Sequence, residues 1–268
     1  MDNLTLNEKS LIYHIRQYRI KKYVKFYEEL DSTNEKAKEL CRTQMQRGLF
    51  VAAASQTAGK GRLGRSFYSP KGGIYLSMVY ELENGACNLE LISSAAGMAV
   101  RDTLYNIFNI DAGIKWPNDI LVDGKKICGI LCETVNENDR PKYVIVGIGL
   151  NVRKCEFPDE LAYTATSIGN VYEGEIELDE NEILIDILCN LDRYVLRSGM
   201  LSSKDYDSGD LIARLKKHSL TVGQMVRVIK PDTQFDAKAL DIDVNGGLIV
   251  KGPVDIETVT SGEIEHLR

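Results

Sequence analysis

Residues 49–81 read LFVAAASQTAGKGRLGRSFYSPKGGIYLSMVYE, two apolar runs joined by a glycine-rich, basic loop. The fold turns on what that loop opens into. Gly59, Gly61 and Gly64 have the G-x-G-x-x-G spacing of a dinucleotide-binding turn, and Gly59 with Gly64-Arg65-Ser66 stands one substitution short of a phosphate-binding P-loop. Both motifs require a helix directly after the loop, because the helix N-terminus receives the phosphates. Here Ser66-Phe67-Tyr68-Ser69-Pro70-Lys71-Gly72-Gly73 follows, and its proline and paired glycines cannot start a helix. Neither motif applies. A protein-kinase glycine loop does lie between strands, but no catalytic-loop or Asp-Phe-Gly motif comes after it. What remains is a strand-to-strand loop, electrically a phosphate clamp: its glycines permit close backbone approach, and Lys60, Arg62 and Arg65 can follow negative charge. A solvated surface loop is the competing reading.

Working outward, Ser32-Thr33-Asn34-Glu35 has the capping-box pattern and predicts a helix running to Arg47 and stopping at Gly48. Strands are expected at 49–55 and 74–81. Leu89, Ile92, Ala96, Val100, Leu104 and Ile107 recur at helical spacing, so 88–108 reads as a long packed helix. The pattern then turns to strands: AGIKW, ILV, KKICGILCE and KYVIVGIGLNV, with Asp123-Gly124 between two of the runs as a type I′ hairpin signal. Helices follow at about 182–198 and 207–217. This order is α+β with a mixed, largely antiparallel sheet. From about Leu220 four short strand-like pieces (QMVRVIK, QFDAKALDID, LIVKG and EIEHLR) carry no helix among them and predict a small barrel-like all-β module. The expected division is 1–219 and 220–268.

The apolar share of 44% and charged share of 27% are those of an ordinary globular protein, and a net charge of −6 argues against a long polyanion as partner. The basic loop is thus a local feature suited to a small phosphate ligand. No apolar run approaches the length of a membrane span, and MDNLTLNEKS lacks a signal-peptide core. The six cysteines form no disulfide framework, and Cys128 and Cys132 read as buried free thiols; the expected compartment is the cytoplasm.

A second constellation, Lys115-Trp116-Pro117-Asn118-Asp119, ends a strand, and Lys126 follows in the next hairpin. Gly129 and the Gly147-Ile148-Gly149-Leu150-Asn151 segment put glycines inside apolar strands, where they mark close approach by ligand or backbone. Taken in order, Ser32-Thr33-Asn34, Gln56 to Arg65, Lys115 to Ile120, Gly129-Ile130-Leu131, Gly147 to Asn151 and Ser261-Gly262-Glu263 resemble the successive signatures of the biotin–protein ligases, the biotin–[acetyl-CoA-carboxylase] ligases. The resemblance runs from about residue 25 to the C-terminus.

It implies a class II synthetase-like ligase domain with a C-terminal SH3-like β-barrel, and a two-step reaction: biotin and ATP give biotinyl-5′-AMP, and a lysine of a biotin carboxyl carrier protein then takes the biotin. Following the family, Lys126, Arg62 and Asp119 are the candidate catalytic residues, with neighbouring Lys125 the alternative to Lys126. Ser32, Thr33, Asn34, Gln56, Gly59, Arg62, Arg65, Lys126, Gly129 and Gly147 are the candidate biotin-binding set. Arg62, Arg65, Lys115, Trp116, Asn118, Asp119, Lys126 and Asn151 are the candidates for ATP and the adenylate. For Ser32 a plain N-cap, and for Trp116 a core position, are the readings that compete. Joining two anions calls for positive charge and a divalent cation, expected to be Mg2+, with ligands the sequence does not specify. Asp119 is assigned either to metal or nucleotide or to the incoming lysine. Lys60, Leu63 and Phe67 depart from the arginine-rich, tryptophan-capped family loop, and weaker adenylate retention is expected. The short N-terminal stretch leaves DNA binding unexpected, and a homodimer through sheet edges fits the family. A lipoate–protein ligase and a non-catalytic biotin-binding regulator are the rival readings.

Overall fold

The computed structural model of the chain describes residues 5–83, 87–197, 201, 209–230, 232–260 and 262–267. In chain order the elements are α1 (Glu8–Gln17), β1 (Tyr23–Tyr27), α2 (Thr33–Thr43), β2 (Leu49–Ala53), β3 (Gly73–Glu81), α3 (Leu89–Phe108), β4 (Gly113–Lys115), β5 (Asp119–Val122), β6 (Lys125–Glu137) and β7 (Arg140–Asn151). Then come α4 (Ile168–Val171), α5 (Glu180–Arg197), α6 (Gly209–Lys217), β8 (Met225–Lys230), β9 (Thr233–Ile242), β10 (Leu248–Lys251), β11 (Ile256–Val259) and β12 (Glu263–His266).

Seven strands form one sheet in the order β1-β2-β3-β7-β6-β5-β4, parallel only between β1 and β2. Side chains alternate across it. Phe50, Ala52, Leu76, Met78, Val146 and Ile148 face the core built with α1, α3 and α5, whereas Leu49, Val51, Val79 and Ile145 face a smaller core under α2. The α+β, largely antiparallel architecture expected from the pattern is the one observed. At the β5–β6 turn Asp123 and Gly124 both have positive φ (49° and 76°), as a type I′ hairpin demands.

Some elements differ from expectation. Helix α2 stops at Thr43, because Gln44 leaves helical geometry (φ −146°, ψ 40°), and Ser32 makes no side-chain cap. The capping box does not form: Glu35 is drawn to Lys38 and Lys60 instead. Helix α5 begins at Glu180, and the expected start of α6 at 207 lies outside the described residues. The N-terminal α1 and β1, the short α4, and β11 carry weak patterns and are found only in the structure. Helix α1 is no appendage, since Leu6 N–H donates to Glu180 and Asn7 N–H to Asn181 at the start of α5.

The C-terminal strands make a second, antiparallel sheet in the order β11-β10-β9-β8-β12, the small all-β module. Its seam with the larger sheet is specific. Ile114 N–H donates to the His218 carbonyl and Leu220 N–H to the Ile114 carbonyl, both at 2.8 Å. Trp116 is only 2% exposed, its backbone N–H donates to Thr221 Oγ1, and its indole Nε1 donates to the Gly246 carbonyl at 2.8 Å. Trp116→Phe leaves that buried carbonyl without its donor; we expect a loss of about 1–3 kcal/mol in denaturant-induced unfolding.

Candidate active site

The site begins where the α2 face of the sheet runs out of side chains. On β6 the odd-numbered Gly129, Leu131 and Glu133, and on β7 Ile145, Gly147 and Gly149, point to that face. Gly129 is paired with Gly149 and Leu131 with Gly147. The floor is therefore backbone, and above it lies a cavity of about 290 Å³. A Cβ at Gly149 would collide with the Phe67 ring, and one at Gly147 would overlap Asn34 Oδ1. The aromatic just past the glycine loop and the start of α2 thus rest directly on bare strands.

Strict alternation would turn Lys126 away from this face. A register shift between Ile120 and Leu121 opposes them to Cys128 and Lys126, and leaves Ile127 as an extra residue buried in the α3 core. Such a bulge re-aims a side chain. Lys126 consequently joins Gly129 at the cavity, while Lys125 is exposed and does not line it. The Lys126 backbone is tied down by hydrogen bonds with Thr164 and Thr166. Its Nζ lies 2.7 Å from Asp119 Oδ1 and 5.6 Å from the Phe67 ring centroid. The contact with Asp119 is an ion pair without hydrogen-bond geometry: Oδ1 is buried and accepts no hydrogen bond from the described residues.

At the opposite end Thr33 donates from its backbone N–H and its hydroxyl to Gln56 Oε1 (2.8 and 3.1 Å), and Gln56 Nε2 donates to Ser69. Asn34 Nδ2 donates to Glu133 and to the Leu131 carbonyl, and Ser77 donates to Asn34 Oδ1. Ser32, which does not cap its helix, lines the cavity. Asn118 donates to the Ile130 carbonyl at 2.8 Å, locking the Lys115–Asp119 turn to β6.

The glycine loop closes as a hairpin, not a helix start: Gly61 N–H donates to Arg65 O, and Phe67 N–H to Gly59 O. It reaches over the cavity to the small module, where Arg62 donates to the Gly262 carbonyl at 3.2 Å and Arg65 pairs with Glu263. Ser261 lies outside the described residues. Burial lowers the Arg62 pKa, opposed by Glu90. Burial, joined by repulsion from Lys115, likewise lowers that of His266, which sits 3.0 Å from Thr221 Oγ1 beside the seam.

Of the residues selected from sequence, Ser32, Thr33, Asn34, Gln56, Arg62, Arg65, Lys115, Asn118, Asp119, Lys126, Gly129 and Gly147 meet around this cavity. Two do not. Gly59 lies beneath the loop, where a Cβ would collide with Phe67 O and Ser69 Oγ, so its role is to let the hairpin close. Asn151 is buried at the end of β7, donates to the Thr166 carbonyl and does not line this cavity. Trp116 touches the cavity wall, but its polar atoms serve the seam. Phe67, Gly149 and Glu263 line the cavity without having been selected; the glycines at alternate strand positions were the signal for Gly149. The one three-residue cluster of potential metal ligands among the described residues, His14, Asp179 and Glu182, is not part of this cavity.

Known proteins share this architecture. Residues 26–151 match the Biotin/lipoate A/B protein ligase family and residues 221–267 the Biotin protein ligase C terminal domain. The chain is 32% identical to the Bifunctional ligase/repressor BirA of Bacillus subtilis, over 97% of its own length and 79% of that protein's. It belongs to the biotin protein ligase family. The Biotin--[acetyl-CoA-carboxylase] ligase of Mycobacterium tuberculosis is also 32% identical, over 82% of this chain and 80% of that one. The biotin protein ligase of Aquifex aeolicus, solved in complex with biotin and ATP, superposes with a TM-score of 0.78 at 27% identity, covering 93% of this chain and all of the other.

Of the two thiols expected to be buried, Cys128 is buried and Cys132 only half-buried. Cys132 sits close enough to Arg62 to feel its charge, yet loss of solvent pushes its thiol up to about 12, and the deeper Cys128 is raised further. Thiolate is the reactive form, so both stay protonated and inert at pH 8. Iodoacetamide at that pH should leave both unmodified in the native protein and modify both once it is unfolded, as read by mass spectrometry.

Proposed function

We propose that the chain activates biotin with ATP to biotinyl-5′-AMP and passes it to a lysine of a biotin carboxyl carrier protein, with the chemistry centred on Lys126. The observation that carries this reading is the bulge-directed Lys126 beside Asp119 and under Arg62, over a floor of glycines. In the first step a biotin carboxylate oxygen attacks the α-phosphorus of ATP and pyrophosphate leaves. Two anions must approach, so the reaction needs cations fixed where charge builds up. Lys126 supplies one from the sheet and Arg62 another from the loop, while Arg65 and Lys115 stand at the cavity rim for the remaining phosphate charge. Phe67 shields the apolar tail from water.

In the second step the acceptor amine attacks the acyl carbon, the C–O bond to phosphate breaks and AMP departs. A free lysine has a pKa of about 10.4 and must lose a proton to attack. Asp119, ion-paired with Lys126, is the carboxylate we assign to orient that amine. The Asp119 carboxylate also suits a hard divalent cation, which at Oδ1 would compete with the Lys126 ammonium 2.7 Å away. When bound, Mg2+ would be held by Asp119 and the phosphates and would neutralise developing phosphate charge. We assign 1–219 to the catalytic unit, 220–268 to the module that closes over it, and the activity to the cytoplasm, where the six free cysteines are at home.

The deciding assay is pyrophosphate exchange into ATP with biotin or lipoate as the acid. Exchange is expected with biotin; exchange with lipoate alone would overturn the reading. Lys126→Gln should lower biotin-dependent exchange at least 100-fold, in line with the loss of one electrostatic contact to the transition state. Asp119→Asn should slow transfer from preformed biotinyl-5′-AMP in single turnover; an unchanged rate would leave Asp119 to metal or nucleotide alone.

A further inference from the structure

The polar end of the cavity is oriented by a residue that does not line it. Glu133 follows Leu131 on the same face of β6. Its Oε2 accepts from Asn34 Nδ2 at 2.8 Å and its Oε1 from Lys38 Nζ at 2.7 Å. Lys38 also donates to Glu35 at 2.9 Å, and Glu35 takes Lys60 of the glycine loop at 2.8 Å. The second hydrogen of Asn34 Nδ2 goes to the Leu131 carbonyl at 3.2 Å, and Ser77 Oγ donates to Asn34 Oδ1 at 2.6 Å. A carboxylate and a peptide carbonyl only accept. Both lie on the β6 side of Asn34, so the NH2 group must face them and Oδ1 must face Ser77 and Gly147. Oδ1 has two lone pairs, and Ser77 occupies one.

We infer that Glu133 is a positioning residue that sets the polarity of the biotin subsite: by holding one Asn34 amide hydrogen, while the Leu131 carbonyl holds the other, it leaves Asn34 as an acceptor, with no N–H to offer a ligand. The inference rests on the biotin-ligase reading. Thr33 shares this polarity, since its hydroxyl hydrogen is spent on Gln56 and lone pairs remain. The ureido ring of biotin offers two N–H donors, and the dithiolane ring of lipoate offers none. An acceptor-lined subsite therefore selects the first by hydrogen bonding, independently of size. Lys38 enforces the arrangement from behind. Burial is the largest influence on its pKa and lowers it, but the hydrogen bonds it donates to Glu133 and Glu35 outweigh burial and leave the pKa raised.

The test uses the full chain in pyrophosphate exchange with Glu133→Gln, alone and combined with Lys38→Met. The isosteric Glu133→Gln side chain cannot accept from both neighbours, so its NH2 must oppose either Asn34 Nδ2 or Lys38 Nζ. We expect the KM for biotin to rise about tenfold, the cost of one misdirected buried hydrogen bond. The KM for ATP and kcat at saturating biotin should stay within about twofold, and the preference for biotin over lipoate should fall with the biotin KM. Adding Lys38→Met frees the Glu133→Gln side chain to turn its carbonyl to Asn34, so the biotin KM should recover most of the loss, which a merely structural role would not produce. An unchanged biotin KM, equal rises for biotin and ATP, or no recovery in the double variant overturns the inference. Wild-type enzyme inactive with biotin would instead overturn the ligase reading on which it stands.

Discussion

The site depends on a local failure of the sheet to carry side chains. Along most of the α2 face the alternating positions of β2, β3 and β7 bury Leu49, Val51, Val79 and Ile145 under the helix. Toward the other end the same alternation delivers Ser77, Gly147, Gly149 and Gly129. Close packing then cannot continue, and the space becomes the cavity. Phe67 and Asn34 are seated where a β-carbon would otherwise stand, so the glycines both empty the site and fix the groups around it. The single-residue bulge at Ile127 adds the missing charge: without it Lys126 would face the α3 core, where an ammonium has no partner.

Around this floor the charges come from distant parts of the chain. Arg62 and Arg65 arrive on the loop after β2, Asp119 on β5 and Lys126 on β6, while Gly262 just before β12 and Glu263 at its start close from the small module. The seam at Ile114, Trp116 and Thr221 keeps the small module in place, so the sequence neighbours of Asp119 act as the hinge plate for the module that covers it. Arg101, Arg193 and Arg214 converge on the buried Asp102 beside Tyr194, and this network joins α3, α5 and α6, the last element before the module.

What could be read from the sequence was whatever is encoded within a few residues. The Asp123-Gly124 turn, the helix at 89–108, the failure of the glycine loop to start a helix, and the Lys-Trp-Pro-Asn-Asp run all depend on near neighbours. The contacts that could not be read join residues far apart in the chain. Trp116 takes its role from Gly246, 130 positions away, and Glu133 takes its role from Asn34, 99 positions away. Asn151 sits in a glycine-marked strand end, yet its amide is spent on Thr166. The capping box at Ser32 was a sound local pattern overruled by Lys38 and Lys60, which offer Glu35 full positive charges in place of a backbone N–H. Strand β11 and helix α1 are too short, or too sparsely apolar, to stand out.

The bond from Arg62 to the Gly262 carbonyl and the pairing of Arg65 with Glu263 join one loop to a strand about 200 residues downstream. The loop's guanidinium groups are therefore not idle charges awaiting a ligand; each already has an oxygen. An incoming anion replaces one partner by another, and only the difference between the two contributes to its binding. A lone carboxylate offers Arg65 little that Glu263 does not. A triphosphate, with several oxygens per arginine, offers more. By this competition the covering module would favour a ligand that brings several anionic oxygens over one that brings a single carboxylate, quite apart from its shape.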